Sequence, residues 1–199
     1  MSIHMILASG SEIRATMLRQ SRLSFSVSKP FIDEHSIKES LLAEDSTPRD
    51  IADCLAEAKA KKISAKNPGV LVLGCDQVLD LNGTLLSKPA TENDAKAQLR
   101  ALSGERHQLL SAAVICEDGK PIWRHIGKVT LRMHTLSDTF INAYVERNWD
   151  SIKEAVGSYK LEEEGVRLFS RIDGDYFNVL GLPLVELLNY LVLRGDLET

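Results

Sequence analysis

Cysteine is scarce in this chain: Cys54, Cys75 and Cys116 are three in 199 residues, widely spaced and odd in number. That excludes a disulfide framework, and with no Cys-x-x-Cys pair there is no zinc knuckle either. The five histidines show no His-Glu-x-x-His spacing. An excess of positive charge is also missing. Twenty-four Lys plus Arg against twenty-eight Asp plus Glu give a formal charge of -4, so the chain has no broad basic field for nucleic acid. A local basic spot for a small anion stays open. No apolar run is long enough to span a membrane, and the stretch from Met5 to Ala8 stops at Ser9 without a basic segment before it, unlike a signal peptide. Repeats, low-complexity stretches and Gly/Pro/Ser linkers are absent too. The expectation is one domain over residues 1–199, in a reducing cytoplasm, with two lobes sharing a core.

What is present alternates between strand and helix signals. Met5–Ala8 reads as a buried strand ended by Ser9-Gly10-Ser11, and Ile13–Gln20 as a helix. Phe25–Ser28 reads as a second strand that stops at Pro30. Thr47-Pro48 opens a helix, with Thr47 as cap, Pro48 at the first position and Asp50 at the positive end, closed by Asn67-Pro68-Gly69. Val70–Asp76 is a strand that delivers an acid at its end. Asn82-Gly83 is a hairpin signal. Thr91–Asp94 starts a helix that stops at Gly104, and two long strands, His107–Glu117 and Pro121–Met133, meet at Asp118-Gly119. A helix over Asp138–Asn148, strand-like segments near Tyr159 and over Val166–Ile172, and a helix over Leu182–Leu193 complete the chain. The mixture of hairpins and alternation predicts an α/β fold with a mixed sheet.

Five places carry chemistry-bearing residues. Ser9-Gly10-Ser11-Glu12-Ile13-Arg14 joins a strand, a turn and a helix start, which can surround an anion with N–H groups, with Arg14 closing on it; the alternative is a simple helix cap. The segment is neither a P-loop nor a Gly-x-Ser-x-Gly turn. Asp33-Glu34, in a predicted loop, can hold a divalent cation or stand as a solvated acidic pair. Asp76 suits ligand binding, because crevices in α/β sheets open at strand C-termini. Burial there raises its pKa and a nearby cation lowers it, and such an acid can take a proton from water; the alternative is a turn-forming Asp. Lys88 is held by Pro89 after the hairpin, with an ordinary surface lysine as the alternative, and Lys59 lies on a helix whose charges read mostly as its wet face. Asp173-Gly174-Asp175 has the look of a metal-binding Asp-x-Asp, but a strand-ending turn explains it more simply.

Taken in order, these segments resemble the Maf family of nucleoside triphosphate pyrophosphatases. Leu7-Ala8-Ser9-Gly10-Ser11-Glu12-Ile13-Arg14 is similar to the family opening Leu-Ala-Ser-x-Ser-Pro-Arg-Arg. Asp33-Glu34, Lys59-Ala60, Asp76-Gln77-Val78 and Lys88-Pro89 follow. Leu102-Ser103-Gly104-x-x-His107, Gly157-Ser158-Tyr159 and Asn178-Val179-Leu180-Gly181-Leu182-Pro183 complete the set in family order. The resemblance implies an elongated mixed sheet flanked by helices, with two lobes around a central cleft, as in inosine triphosphate pyrophosphatase. A homodimer is a further expectation.

The reaction implied is hydrolysis between the α and β phosphates with a divalent cation, Mg²⁺ or Mn²⁺. On that match Asp76 is the proton acceptor, Glu34 and Asp76 hold the metal, and Ser9, Arg14, Lys59 and Lys88 meet the phosphates. The chain departs from the family at Glu12 and Ile13, which stand where Pro and the first Arg are expected, so Glu12 is expected to point away from the phosphates. Ile13 supplies neither an aromatic ring nor an arginine to a base. Gln77 and Glu162 resemble the branch acting on 7-methyl-GTP rather than the one preferring dTTP and UTP. An acid at 162 can accept hydrogen bonds from the guanine N1–H and amino edge and favours a cationic methylated base. Two other readings compete: a nucleotide-binding regulator of cell division with little turnover, and a transferase using Asp173 and Asp175.

Overall fold

The computed structural model describes residues 4–198. A seven-stranded open sheet is built from β1 (His4–Ala8), β2 (Ser24–Val27), β3 (Leu71–Leu81), β4 (Thr84–Leu86), β5 (Arg106–Glu117), β6 (Lys120–Met133) and β7 (Phe169–Asp173). Its order is β2-β1-β3-β5-β6-β7, and β4 pairs with the far end of β3. β1 runs parallel to β2 and β3, while the remaining pairs are antiparallel. The mixed α/β expectation holds.

Helices cover both faces: α1 (Glu12–Gln20), α2 (Glu34–Ala43), α3 (Pro48–Ser64), α4 (Glu92–Leu102), α5 (Asp138–Ile152), α6 (Tyr176–Val179) and α7 (Leu184–Arg194). Side-chain alternation along β1 sends Met5 and Leu7 to one face, with Leu18, Leu187 and Leu191, and Ile6 and Ala8 to the other, with Ile51, Leu55 and Ala56. A third cluster, with Leu99, Leu102, Leu109, Leu131 and Tyr144, gathers α4 and α5 on the distal parts of β5 and β6. The long strands pass from one core to the next. Leu109 belongs to the distal cluster and Ala113 and Ile115, on the same face, to the β1 cluster. Two lobes therefore share one sheet.

Thr47 and Asp50 form the reciprocal capping box at the start of α3, with Pro48 in the first turn as expected. The Asn82-Gly83 and Asp118-Gly119 turns also lie where the sequence predicts them. Several elements differ. Asp33-Glu34 opens a helix rather than lying in a loop: Asp33 accepts the Ser36 N–H at 3.0 Å and caps α2. Tyr159 follows a 3-10 turn (Val156–Ser158) instead of lying in a strand, and the next expected strand starts only at Phe169, because Glu164–Leu168 forms a second 3-10 turn. β3 runs on to Leu81, so Asp76 is in mid-strand. The two runs of residues read separately as strand and hairpin arm are one continuous strand.

Candidate active site

The parallel neighbour, not β3 itself, ends near Asp76. β1 pairs with β3 only as far as Ala8 and Gly74, while β3 continues for residues 75–81. Between that stop and the start of β4 pairing at Leu79, one edge of β3 is left open. This difference in strand length opens the edge of β3 beside Asp76 at the C-terminal end of β1, the kind of place where α/β sheets bind ligands. Ser9 and the first turn of α1 stand on one side of it.

Asp76 and Lys59 meet there because α3 packs unusually close to β3. Gly74 lies directly beneath α3: a Cβ at this position would sit 2.7 Å from the Ala60 nitrogen, and closer still to the Ala56 carbonyl oxygen. Only glycine permits that approach. Two residues on, Asp76 faces the same helix, and its Oδ1 accepts a charge-assisted hydrogen bond from Lys59 Nζ at 2.7 Å. Glu34 Oε1, from the first turn of α2, lies 3.0 Å from the same nitrogen. Asp76 and Lys59 are both nine-tenths buried, whereas the Glu34 side chain is about half exposed. Burial pushes the Asp76 carboxyl above the usual carboxylate range; Lys59 and then Arg14 pull it back down, and Glu34 adds to the rise. The result is a buried acid kept near a cation that favours its charged form.

On the neighbouring wall, Ser9 Oγ accepts from the Ser11 N–H and from Arg14 Nη1, both at 3.2 Å. Arg14 Nη1 also reaches the Cys75 carbonyl at 3.3 Å, and its Nε donates to the Gly181 carbonyl at 2.7 Å. Gly181 has φ +92°, and a Cβ there would lie 3.0 Å from Arg14 Nη2. The guanidinium is thus locked between three segments: the β1 turn, β3 and the Asn178–Pro183 stretch. Glu12, the awkward acid of this turn, is directed along α1 to Arg19 at 2.6 Å, so its charge is matched away from Ser9. The expectation that it points away holds.

Segments spread over the whole chain thus place a serine–arginine contact beside a buried acid–lysine pair. The family model described as Maf-like protein matches residues 4–193. The chain belongs to the Maf family. This Maf chain is 68% identical over 193 residues to a nucleoside triphosphate pyrophosphatase of Roseobacter denitrificans, covering 97% of each. It is 43% identical over 188 residues to a 7-methyl-GTP pyrophosphatase of Brucella abortus, covering 94% of each. Among solved structures it is similar to a HAM1 protein from Coxiella burnetii, with a TM-score of 0.44 and 20% identity over 66% of this chain and 73% of that one.

The structure brings some of the Maf motif residues together in two groups. Ser9 and Arg14 touch, and Glu34, Lys59 and Asp76 touch. Gln77, next in sequence to Asp76, points to the opposite face of the sheet. Its amide nitrogen donates to Ser111 Oγ at 2.9 Å and lies 3.0 Å from the carbonyls of both Asn178 and Val179. Gln77 and Arg14 therefore grip the same C-terminal segment. Ile13 packs half-buried against the β1 core cluster. Lys88 follows β4 and pairs with Glu154 at 3.4 Å rather than with the acids. Glu162 is exposed on the turn after Leu161, whereas its neighbours Glu163 and Glu164 are tied to Ser151 and to Arg147 and Asn148.

Several motif residues turn out to be structural. His107 is 1% exposed, and its Nε2 meets the Tyr159 hydroxyl at 2.8 Å inside the distal core. Burial lowers its pKa to about 4, which keeps the ring neutral. Asp175 caps α6 through the Asn178 N–H, and Asp173 pairs with Arg171, so the Asp-x-Asp motif is a turn and a cap. The three cysteines are free, Cys75 and Cys116 within the core. Among the described residues no helix is long and apolar enough to cross a membrane.

Proposed function

We propose that this Maf chain hydrolyses a nucleoside triphosphate to the monophosphate and pyrophosphate, with Asp76 as the proton acceptor. The observation that carries the reading is the buried Asp76–Lys59 contact at 2.7 Å beside the Ser9–Arg14 wall. One carboxylate oxygen of Asp76 is engaged by Lys59, which leaves Oδ2 to take a proton from the water that attacks the α phosphorus. A carboxyl whose pKa burial has raised is a stronger base than an exposed one, provided a cation keeps it ionised, and Lys59 supplies that cation. Arg14, already oriented by protein acceptors, and the Ser9 hydroxyl meet the phosphate oxygens without reorganisation. Lys88 can exchange its exposed contact with Glu154 for a phosphate, because such surface pairs contribute little.

The residues also fit a divalent cation. Among the described residues no cluster of three or more His, Cys, Asp or Glu side chains gathers. Mg²⁺, however, is commonly held by one or two carboxylates with substrate phosphates completing its shell. Glu34 and Asp76 would be that pair, and a cation between Glu34 Oε1 and Asp76 Oδ1 would take the position that Lys59 Nζ now holds and release that ammonium to a phosphate. A bound Mg²⁺ or Mn²⁺ would offset phosphate charge there.

For the base we favour 7-methyl-GTP over dTTP and UTP. The support is Glu162, an exposed carboxylate suited to a guanine edge and to a methylated, cationic ring, together with the naming of the Brucella relative. Pyrophosphate release from a panel of nucleoside triphosphates, with and without Mg²⁺ or Mn²⁺, tests both parts. Asp76→Asn should lower turnover by about 10²- to 10⁴-fold. Unchanged turnover in that variant refutes the role of Asp76, and tight nucleotide binding without product in the unaltered protein favours the regulatory reading.

A further inference from the structure

We infer that Gln98 is a positioning residue for Lys88, an inference that rests on the phosphate-binding role proposed for that lysine. β4 stops at Leu86, which is its last residue paired with β3. The next three residues, Ser87-Lys88-Pro89, carry the lysine without any strand ladder to hold them. Gln98 substitutes for the ladder. Its Nε2 donates to the Ser87 carbonyl at 2.8 Å, and its Oε1 accepts from Ser158 Oγ at 2.8 Å.

Both ends of this amide bridge are anchored. Gln98 lies on α4, next to the fully buried Leu99 and one helical turn from the buried Ala95 and Leu102, so its backbone is set by the distal core. Ser158 is fully buried and has φ +62°, a conformation that residues with a Cβ seldom adopt. Its hydroxyl is directed at Gln98 from the Gly157-Ser158-Tyr159 turn. On the far side of Lys88, Pro89 is buried and has no N–H to satisfy. The Ser87 side chain is gripped from the other wall, where its Oγ accepts from Lys38 Nζ of α2 at 2.8 Å. Lys38 stands one helical turn beyond Glu34, so the loop is held by both the distal lobe and the helix that brings Glu34 to Lys59.

The consequence is specific to binding. The Lys88 backbone is placed before any ligand arrives, and only the end of the side chain has to move from Glu154 to a phosphate. Loss of the bridge leaves the ammonium intact but lets its backbone wander, which lowers the effective concentration of the cation at the phosphates.

A double-mutant cycle in the full chain tests this, with pyrophosphate release as the assay and thermal unfolding as the folding control. Lys88→Ala should raise KM for the triphosphate by about 100-fold and Gln98→Met by about tenfold, with kcat little altered in the second. Because Gln98 acts through Lys88, the double variant should match Lys88→Ala within about twofold. Multiplicative losses, or an unchanged KM in Gln98→Met, overturn the inference while leaving the hydrolase reading intact. A silent Lys88→Ala overturns both the inference and the role proposed for Lys88. If Gln98→Met folds poorly, Gln98→Glu replaces it: the Ser158 acceptor is kept, a carboxylate oxygen faces the Ser87 carbonyl, and the same cycle applies.

Discussion

Gly74→Ala adds one methyl group to the chain and should disable the site without touching any group that carries its chemistry. The new Cβ would lie 2.7 Å from the Ala60 nitrogen and 2.8 Å from the Ala60 Cβ, with the Ala56 carbonyl closer still. All three neighbours are atoms of α3 itself, so no flexible side chain can swing aside. Comfortable carbon contacts begin near 3.5 Å, and α3 must therefore retreat from β3 by about 1 Å. Overpacking of this kind typically costs about 1–3 kcal/mol, and urea unfolding should register a loss of that order. The same retreat carries Lys59 away from Asp76, whose contact is now 2.7 Å. A misplacement of about 1 Å in a catalytic constellation can cost about 100-fold in rate. Pyrophosphate release, measured well below the unfolding midpoint, should fall by that order, with the acid limb of its pH profile moved upward as Asp76 loses its cation. A variant with wild-type turnover and an unshifted profile would show that helix contact does not set the Asp76–Lys59 geometry.

Other outcomes follow from single contacts. The buried His107 ring has its pKa lowered from 6.5 to about 4, so as pH falls from 6.5 the unfolded chain takes up a proton that the folded chain refuses. Stability should therefore drop by about 1.4 kcal/mol per pH unit, about 3 kcal/mol in all by pH 4. His107→Gln should flatten this slope in urea titrations run across that range, and an equal slope in both proteins would refute the burial argument. Thr47→Ala removes the α3 capping box, in which Thr47 and Asp50 exchange hydrogen bonds of 3.2 and 3.3 Å. It should cost about 1 kcal/mol in the same assay. Glu162→Gln should shift preference from 7-methyl-GTP toward dTTP and UTP in competition assays, and an unchanged ratio removes Glu162 from specificity. Glu34→Gln should raise the Mg²⁺ concentration needed for half-maximal turnover, whereas an unmoved metal dependence assigns Glu34 to Lys59 alone.

Local signals were legible wherever the physics was local. The Thr47-Pro48-Asp50 start, the Asn82-Gly83 turn and the apolar run of β1 need only neighbours in sequence, and the structure has each of them. The helix opened by Asp33 is hard to read from sequence because α2 buries none of its residues fully and so has little apolar periodicity. The capping signal, Asp33 with Ser36 three residues later, was present in the sequence all the same. Asp76 read as a strand end because the apolar run stops there, but strand length was decided by pairing with β5, which continues to Asp80. Gln98 carried no motif at all. Its significance comes from Ser87 and Ser158, 11 and 60 residues away.

The sequence by itself determined the inventory of this Maf chain: most of its local element signals, which acids and cations are available, and which family order they follow. Tertiary structure decided which of these residues meet. Lys59 reaches Asp76 because Gly74 lets a helix settle on the sheet, and the edge of β3 beside Asp76 is open because β1 is shorter than β3. Arg14 is held by a carbonyl 167 positions further along the chain. Such contacts depend on how strands of unequal length pair and how closely a helix can approach them. No window along the sequence contains that information.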